Sequence, residues 1–308
     1  MECLTTDAAV FALAPRWAAL WHAAPATPFA HPAWLLPWWR QFGTGRPRVA
    51  VSATGLLAMY ELDGRLLPMG AGTTDHCDVL GTGADNLLAA ILEPAMSAEL
   101  LAVPPGSSLR DVCLPPGWTI YWHDADACPA LVLPPSMDAL LAAVPLMARK
   151  LRMNRNRAAR AGTVTIRSAT LDTLGDDLAL LIRLHQARWV PKGEPGSLSD
   201  PLVLAFHAES APRLLRAGLL RLQILAVDGA PAAAIYALLS PGRIHFYLSG
   251  FDAAYTAISP GSLLLAAMLE QAIGEGRYEA DFLRGREQYK YAWGAVDRIS
   301  AQARIDRG

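Results

Sequence analysis

The chain has 308 residues, 53% of them hydrophobic and 18% charged, which suits one or two well-buried globular domains and excludes extensive disorder. Its formal net charge of −1 excludes a global field that would draw in nucleic acid or an anionic membrane, so any such contact needs a local patch. Cys3, Cys77, Cys113 and Cys128 follow no CxxC or zinc spacing and read as small core residues of a reducing compartment.

The N-terminus starts with Glu2 and Asp7 and lacks a basic segment followed by an apolar one, so no signal peptide is expected. Every apolar run is broken by Pro, Gly or charge before a membrane-spanning length, and a cytoplasmic location is expected. The stretch PRWAALWHAAPATPFAHPAWLLPWWRQFG holds five of the nine tryptophans on short helices punctuated by Pro28, Pro32 and Pro37. Trp34, Trp38 and Trp39 are its expected core anchors. RVAVSATG and LLAMYELDGRLLPMG alternate at strand period, with a hairpin turn at Asp63-Gly64. DHCDVLGTG is read as another strand, and a helix is expected from about Asp85 to Leu101, bent at Pro94. SSLRDVCL, GWTIYWHD and PALVLP are separate short strand candidates. The half is mixed α/β and closes near Pro134-Pro135.

Ser136 can cap a segment whose first turn holds Asp138, and Pro145 permits a fresh helix that runs to Gly162. On that helix Val144, Met147, Leu151 and Ala158 share one side, opposite Arg149, Arg152 and Arg160. Six of its residues from 149 to 160 are cationic. The expected domains are therefore 1–135 and 136–308, the second beginning at this basic segment. TVTIRSA is a strand and TLGDDLALLIRLHQARW an amphipathic helix. The Gly/Pro-containing loop VPKGEPGSLSD leads to a helix over about 201–217. A hairpin turns at Asp228-Gly229, and RIHFYLSGF adds a third strand. SPGSLLLAAMLEQAIGEG is a helix, YEADFL a strand, and RISAQARI the last strand.

That order of strand, hairpin, strand, turn, helix and strand matches the core of the GNAT acyltransferase fold. The segments TPFAHPAWLLPWWRQFG, LHQARW, FYLSGFDAAYTAISPGSLLL and DFLRGREQYKYAW together resemble the GNAT-related family known as CelD-like, associated with cellulose biosynthesis. The family resembles the FemAB group in placing two GNAT-like halves in tandem, so the resemblance implies α/β tandem GNAT-like domains. It also implies acetyl-CoA or another acyl-CoA as co-substrate, bound where the turn before the central helix presents backbone N–H groups to a pyrophosphate. Here that turn is Ile258-Ser259-Pro260-Gly261-Ser262, and Ser259, Gly261 and Ser262 are the donor-binding candidates. The sequence departs from the usual pyrophosphate motif, because Ile258 stands for Gln or Arg and Leu263 for Gly or Ala.

The residues 281–293, DFLRGREQYKYAW, concentrate charge behind a strand end. Acyl transfer to an amine needs a proton acceptor and a donor for the developing oxyanion. Glu287 is the candidate base, and Lys290 or Tyr289 the candidate donor. Glu287 and Lys290 sit three apart on a helix and share a face. An ion-pair network of Asp281, Arg284, Glu287 and Lys290 that locks the strand end is the structural alternative. Asp281, Arg284, His185, Arg188 and Trp189 are candidates for acceptor binding, the last three on a helix that enters the 192–199 loop. Asp75, His76 and Asp78 form a polar cluster without a further matching ligand, and no metal is expected.

The acceptor would be an amine on a sugar, amino acid or cell-envelope precursor. Two alternatives stay open. A FemAB-like enzyme would take aminoacyl-tRNA and use the 149–160 helix for the phosphates of tRNA or a lipid-linked precursor. A non-catalytic accessory protein of envelope polysaccharide synthesis would carry a decayed donor site.

Overall fold

The computed structural model describes residues 1–93, 95–189 and 197–308, with the backbone alone at 188, 189 and 197. In chain order the elements are β1 (Glu2–Leu4), α1 (Asp7–Ala12), α2 (Ala14–His22), α3 (Pro32–Phe42), β2 (Arg46–Val51), β3 (Gly55–Leu62), β4 (Arg65–Pro68), β5 (Leu80–Gly81), α4 (Ala84–Leu92), β6 (Ser97–Val103) and β7 (Trp118–Val132). There follow α5 (Met137–Ala143), α6 (Pro145–Ala161), β8 (Val164–Ser168), α7 (Leu174–Trp189), α8 (Pro201–Arg216), β9 (Leu220–Val227), β10 (Ala230–Ser240) and β11 (Arg243–Phe251). The last elements are α9 (Pro260–Gly274), β12 (Glu279–Asp281), α10 (Gln288–Ala292) and β13 (Val296–Arg307).

Two compact units result: Met1–Ala127 with Arg298–Gly308, and Cys128–Asp297. The sequence placed the division after residue 135 and assigned the whole C-terminus to the second half. Strand pairing explains the difference, because β13 inserts beside β6, with Ala303 opposite Leu100 and Ile305 opposite Ala98. A strand that completes another unit's sheet leaves no mark in its own local pattern.

The first unit has the strand order β1-β2-β3-β4-β6-β13-β7, with β5 added beside β3. The pair β4 and β6 runs parallel. Its tryptophans are core residues as expected, with Trp34, Trp38 and Trp39 all buried. A buried indole N–H needs an acceptor. Trp17 donates to the Ala30 carbonyl at 2.9 Å, Trp21 to the Thr27 carbonyl at 2.7 Å, and Trp34 to Thr74 Oγ1 at 2.9 Å. His31 caps α3 by accepting the Ala33 N–H on Nδ1 at 3.0 Å, which requires a neutral ring. Burial, helped by His22, pushes its pKa down to about 4.

Several local expectations fail in this unit. The expected helix to Leu101 stops at Leu92, and SAELLAV is a strand that pairs with β4 and β13; Pro94 lies outside the described residues. SSLRDVCL yields a 3-10 turn over Ser108–Asp111 instead of a strand. GWTIYWHD and PALVLP are one strand of 15 residues, β7, whose middle DADAC carries no break.

The second unit orders its strands β7-β12-β11-β10-β9-β8. Its core joins Ile235, Ala237 and Leu239 of β10 to Leu264, Met268 and Leu269 of α9. Ser136 caps α5 by accepting from the Ala139 N–H at 3.1 Å. Pro145 starts α6, which buries Met147, Leu151, Asn154 and Ala158 and exposes its cations. Each unit runs through one strand, two or three helices, three antiparallel strands, a helix, and a strand parallel to the third. The mixed α/β class with a GNAT-like order is therefore repeated along the chain, although no sequence repeat is visible.

Candidate functional site

In the second unit the parallel pairing of β11 and β12 covers three positions, Arg243 with Glu279, Ile244 with Ala280 and His245 with Asp281. Beyond His245 the chain of β11 continues to Phe251, while β12 ends at Asp281. The ladder thus stops at His245 and leaves a notch in the strand pairing along one edge of β11. On its other edge β11 carries a bulge: Tyr236 pairs with Leu248 and Ala237 with Phe246, so Tyr247 is the extra residue. A bulge bends its strand and turns side chains out of register. Phe246 and Phe282 stack at 5.3 Å just past the end of the ladder.

α9 starts just past the end of β11. Ser259 takes a left-handed conformation (φ 51°), and Pro260 occupies the first helical turn. The turn is more self-contained than the sequence implied. The Ser262 and Leu263 N–H groups both return to the Ser259 carbonyl, at 3.0 and 3.2 Å, and Pro260 has no N–H. Gly261 remains as the residue whose backbone can face a ligand. A methyl group on its Cα would meet only Phe251 Cδ1, at 3.9 Å. Arg157 of α6 reaches the same turn, 3.4 Å from the Ala257 carbonyl. Ser259, Gly261 and Ser262 do share one helix start, then, but it offers a single close approach to backbone rather than a cradle of donors.

The opposite wall follows β12. Asp281 is buried and accepts the Leu283 N–H at 2.8 Å, while Leu283 sits at a positive φ of 58°. Such a conformation costs a branched residue about 1–2 kcal/mol and persists where the surroundings hold it. Lys290 does the holding. Its buried ammonium donates to the carbonyls of Leu283 (3.1 Å), Arg284 (2.7 Å) and Gly285 (3.0 Å), and it pairs with Glu287 Oε2 at 2.9 Å. Four acceptors for three protons leave none for a substrate oxyanion. The geometry gives Lys290 a structural job, to lock the 283–285 turn. Glu287, by contrast, is half exposed at the N-cap of α10; Tyr289, two residues on, is also exposed, its ring edge-on to Phe282 with the centroids 6.2 Å apart. Arg284 is exposed.

His185 of α7 is buried against β11. Its Nδ1 lies 3.0 Å from the Ser249 carbonyl, which can only accept, so that nitrogen bears the proton. Gly250 permits this contact, because a Cβ there would fall 2.5 Å from the His185 backbone nitrogen. The backbone of Arg188 and Trp189 continues α7, and their side chains, like the loop from 190 to 196, lie outside the described residues.

Two groups escaped the sequence reading. Ser240 Oγ lies 2.9 Å from His245 Nε2, and His245 Nδ1 lies 3.4 Å from Asp281 Oδ2. No such serine-histidine-acid line was expected from the sequence, because only the register of β10, β11 and β12 assembles it. All three residues are buried, so Ser240 is not presented as a nucleophile. His207 of α8 packs against Tyr236 and the bulged Tyr247, both ring centroids at 5.7 Å. Complete burial pushes His207 down to about 3 and pushes the Tyr236 hydroxyl up.

In the first unit, Asp75, His76 and Asp78 lie in irregular chain, not in a strand. Asp78 accepts from Ser107 Oγ at 2.5 Å and from the Val79 N–H at 2.8 Å, and burial raises its pKa against those bonds. The cavity beside it, lined also by Thr74, Cys77 and Met59, has about 20 Å³, room for one water molecule.

Residues 147–291 match the family model "Acetyltransferase (GNAT) domain", from α6 through α10. No curated protein matches the chain in sequence. Among solved structures, FemX is similar over 98% of this chain and 97% of its own, with TM-score 0.66 and 11% identity. A protein of unknown function from Bacteroides thetaiotaomicron is similar over 99% and 100%, with TM-score 0.65 and 14% identity. The C-terminal DUF2156 domain assigned to a lysylphosphatidylglycerol synthetase of Agrobacterium fabrum is similar over 97% and 92%, with TM-score 0.62 and 13% identity. These likenesses span both units and show a shared fold.

Proposed function

We propose that the second unit is an N-acyltransferase that moves an acyl group from a thioester donor directly to an amine. The observation that carries the reading is the notch between β11 and β12 beneath the α9 start, within the stretch that matches the GNAT domain model. A donor whose acyl chain enters the notch would hydrogen-bond to the exposed edge of β11. Its phosphates would meet the positive end of the α9 dipole at Gly261, with Ser259 and Ser262 beside it and Arg157 adding charge.

The acceptor amine would approach between the His185 wall and the 281–289 wall. Glu287 is the proposed proton acceptor, because it is the carboxylate at the open end of that wall and Lys290 fixes its orientation. Tyr289 is the proposed donor toward the oxyanion, and Arg284, Arg188 and Trp189 would contact the acceptor. Asp281 and His185 would position the two walls from inside. The acceptor would be an amine of a sugar, amino acid or cell-envelope precursor, in keeping with the CelD-like resemblance.

The test is calorimetry with CoA and acetyl-CoA on the wild type, Gly261→Trp and Glu287→Gln. Binding lost in Gly261→Trp and retained in Glu287→Gln is expected. No heat from folded wild-type protein at millimolar ligand would remove acyl-CoA as the donor. One observation favours a second reading in that event: the α9 start keeps few donors for a pyrophosphate, while α6 exposes its basic face. An aminoacyl-tRNA donor would then be expected, with strongly salt-dependent binding.

A further inference from the structure

The solvent face of α6 combines two features that phosphate binding alone does not use together. At 100° per residue, Arg149, Arg160, Met153, Leu146, Arg157 and Lys150 fall in that order across one stripe about 100° wide. The buried residues Met147, Leu151, Asn154 and Ala158 lie on the other side. Leu146 is 84% exposed and Met153 44% exposed, in the middle of the cations. Chain neighbours do not neutralise the stripe, since no Asp or Glu occurs between Asp138 and Asp172. Among the described residues, Arg155 pairs with Glu270 at 3.7 Å, off the stripe, and Arg157 leans on the Ala257 carbonyl with one nitrogen.

We propose that this stripe is a docking surface for an anionic lipid bilayer, on which α6 lies in the plane of the interface. Cations flanking a central pair of exposed apolar side chains are what such a surface selects: the cations meet headgroup phosphates, and the apolar pair enters the acyl boundary. The length fits, for the stripe from Leu146 to Arg160 runs about 21 Å along the helix. An RNA footprint would use the same cations but gains nothing from Leu146 and Met153, and the stripe has no aromatic ring on which a base could stack. The chain's near-zero net charge makes this local patch the means of attraction. No helix among the described residues is long and apolar enough to cross a membrane.

The experiment is cosedimentation of the full chain with vesicles of phosphatidylcholine alone and of equimolar phosphatidylcholine and phosphatidylglycerol. Binding only to the anionic vesicles is expected, weakened by salt and by about fivefold for each of Arg149→Gln and Lys150→Gln. The variant Leu146→Ser/Met153→Ser keeps every charge and alters only exposed positions, and it is expected to lose about tenfold in partitioning. Circular dichroism verifies that each variant is folded. Absence of binding to anionic vesicles overturns the proposal, and so does full binding by the double serine variant. Retention of bulk tRNA by both the wild type and that variant, without vesicle binding, would assign the stripe to RNA instead.

Discussion

Replacing Lys290 by methionine keeps the side chain's length and apolar stem while removing its charge. The structure sets the size of the effect. Three carbonyls lose a charged donor, and hydrogen bonds to charged groups contribute about 1.5–3 kcal/mol each when fully buried. Only the Leu283 bond is fully buried; those to Arg284 and Gly285 are partly so, and their carbonyls can recruit water. The ion pair with Glu287 adds little, because that carboxylate is half exposed. Counting the buried bond in full and the others at a fraction gives a loss of about 3 kcal/mol. For a unit the size of 128–297 that corresponds to a fall in Tm of about 6–12 °C.

The assay is a thermal melt beside Glu287→Gln, for which a loss below about 1 kcal/mol is expected. Lys290→Arg should fall close to Lys290→Met, since a planar guanidinium cannot converge on three carbonyls as an ammonium does. A Lys290→Met protein that melts within a degree or two of the wild type would refute the locking role and return Lys290 to the substrate.

Two further outcomes follow from burial. The folded-state pKa of His207, about 3, lies below its ordinary 6.5, so its stability contribution is full above pH 6.5 and is lost as pH falls toward 3. Urea titrations between pH 7 and 5 should show a slope approaching about 1.4 kcal/mol per pH unit from this residue, flattened in His207→Leu, with His31 adding a similar slope in the first unit. Gly250→Ala should cost about 1–3 kcal/mol by forcing α7 off β11, measured by the same melts, whereas Gly261→Ala, which enters open space, should leave Tm unchanged.

Much of the fold could be read from short-range pattern. Asp63-Gly64 and Asp228-Gly229 both turn hairpins with positive φ, as their dipeptides predict, and Pro145 and Gly162 bound α6. What pattern could not supply was pairing between distant strands. SAELLAV has helix-forming residues, yet partners on both edges make it β6. Within the site, the Glu287–Lys290 spacing foretold their 2.9 Å contact. The spacing could not foretell that three backbone carbonyls from a strained turn would claim the same ammonium. Ser240 and Asp281, 41 residues apart, meet His245 only through strand register.

The return of β13 to the first unit bears on synthesis. A ribosome delivers residues 128–297 as one uninterrupted piece, able to condense as soon as it emerges. The first unit, begun earlier, waits with the edges of β6 and β7 open until Val296–Arg307 arrives to fill the place between them. The order of completion therefore reverses the order of translation. A nascent chain halted before residue 296 would present two unpaired strand edges to its neighbours, the condition under which chaperone capture and aggregation compete.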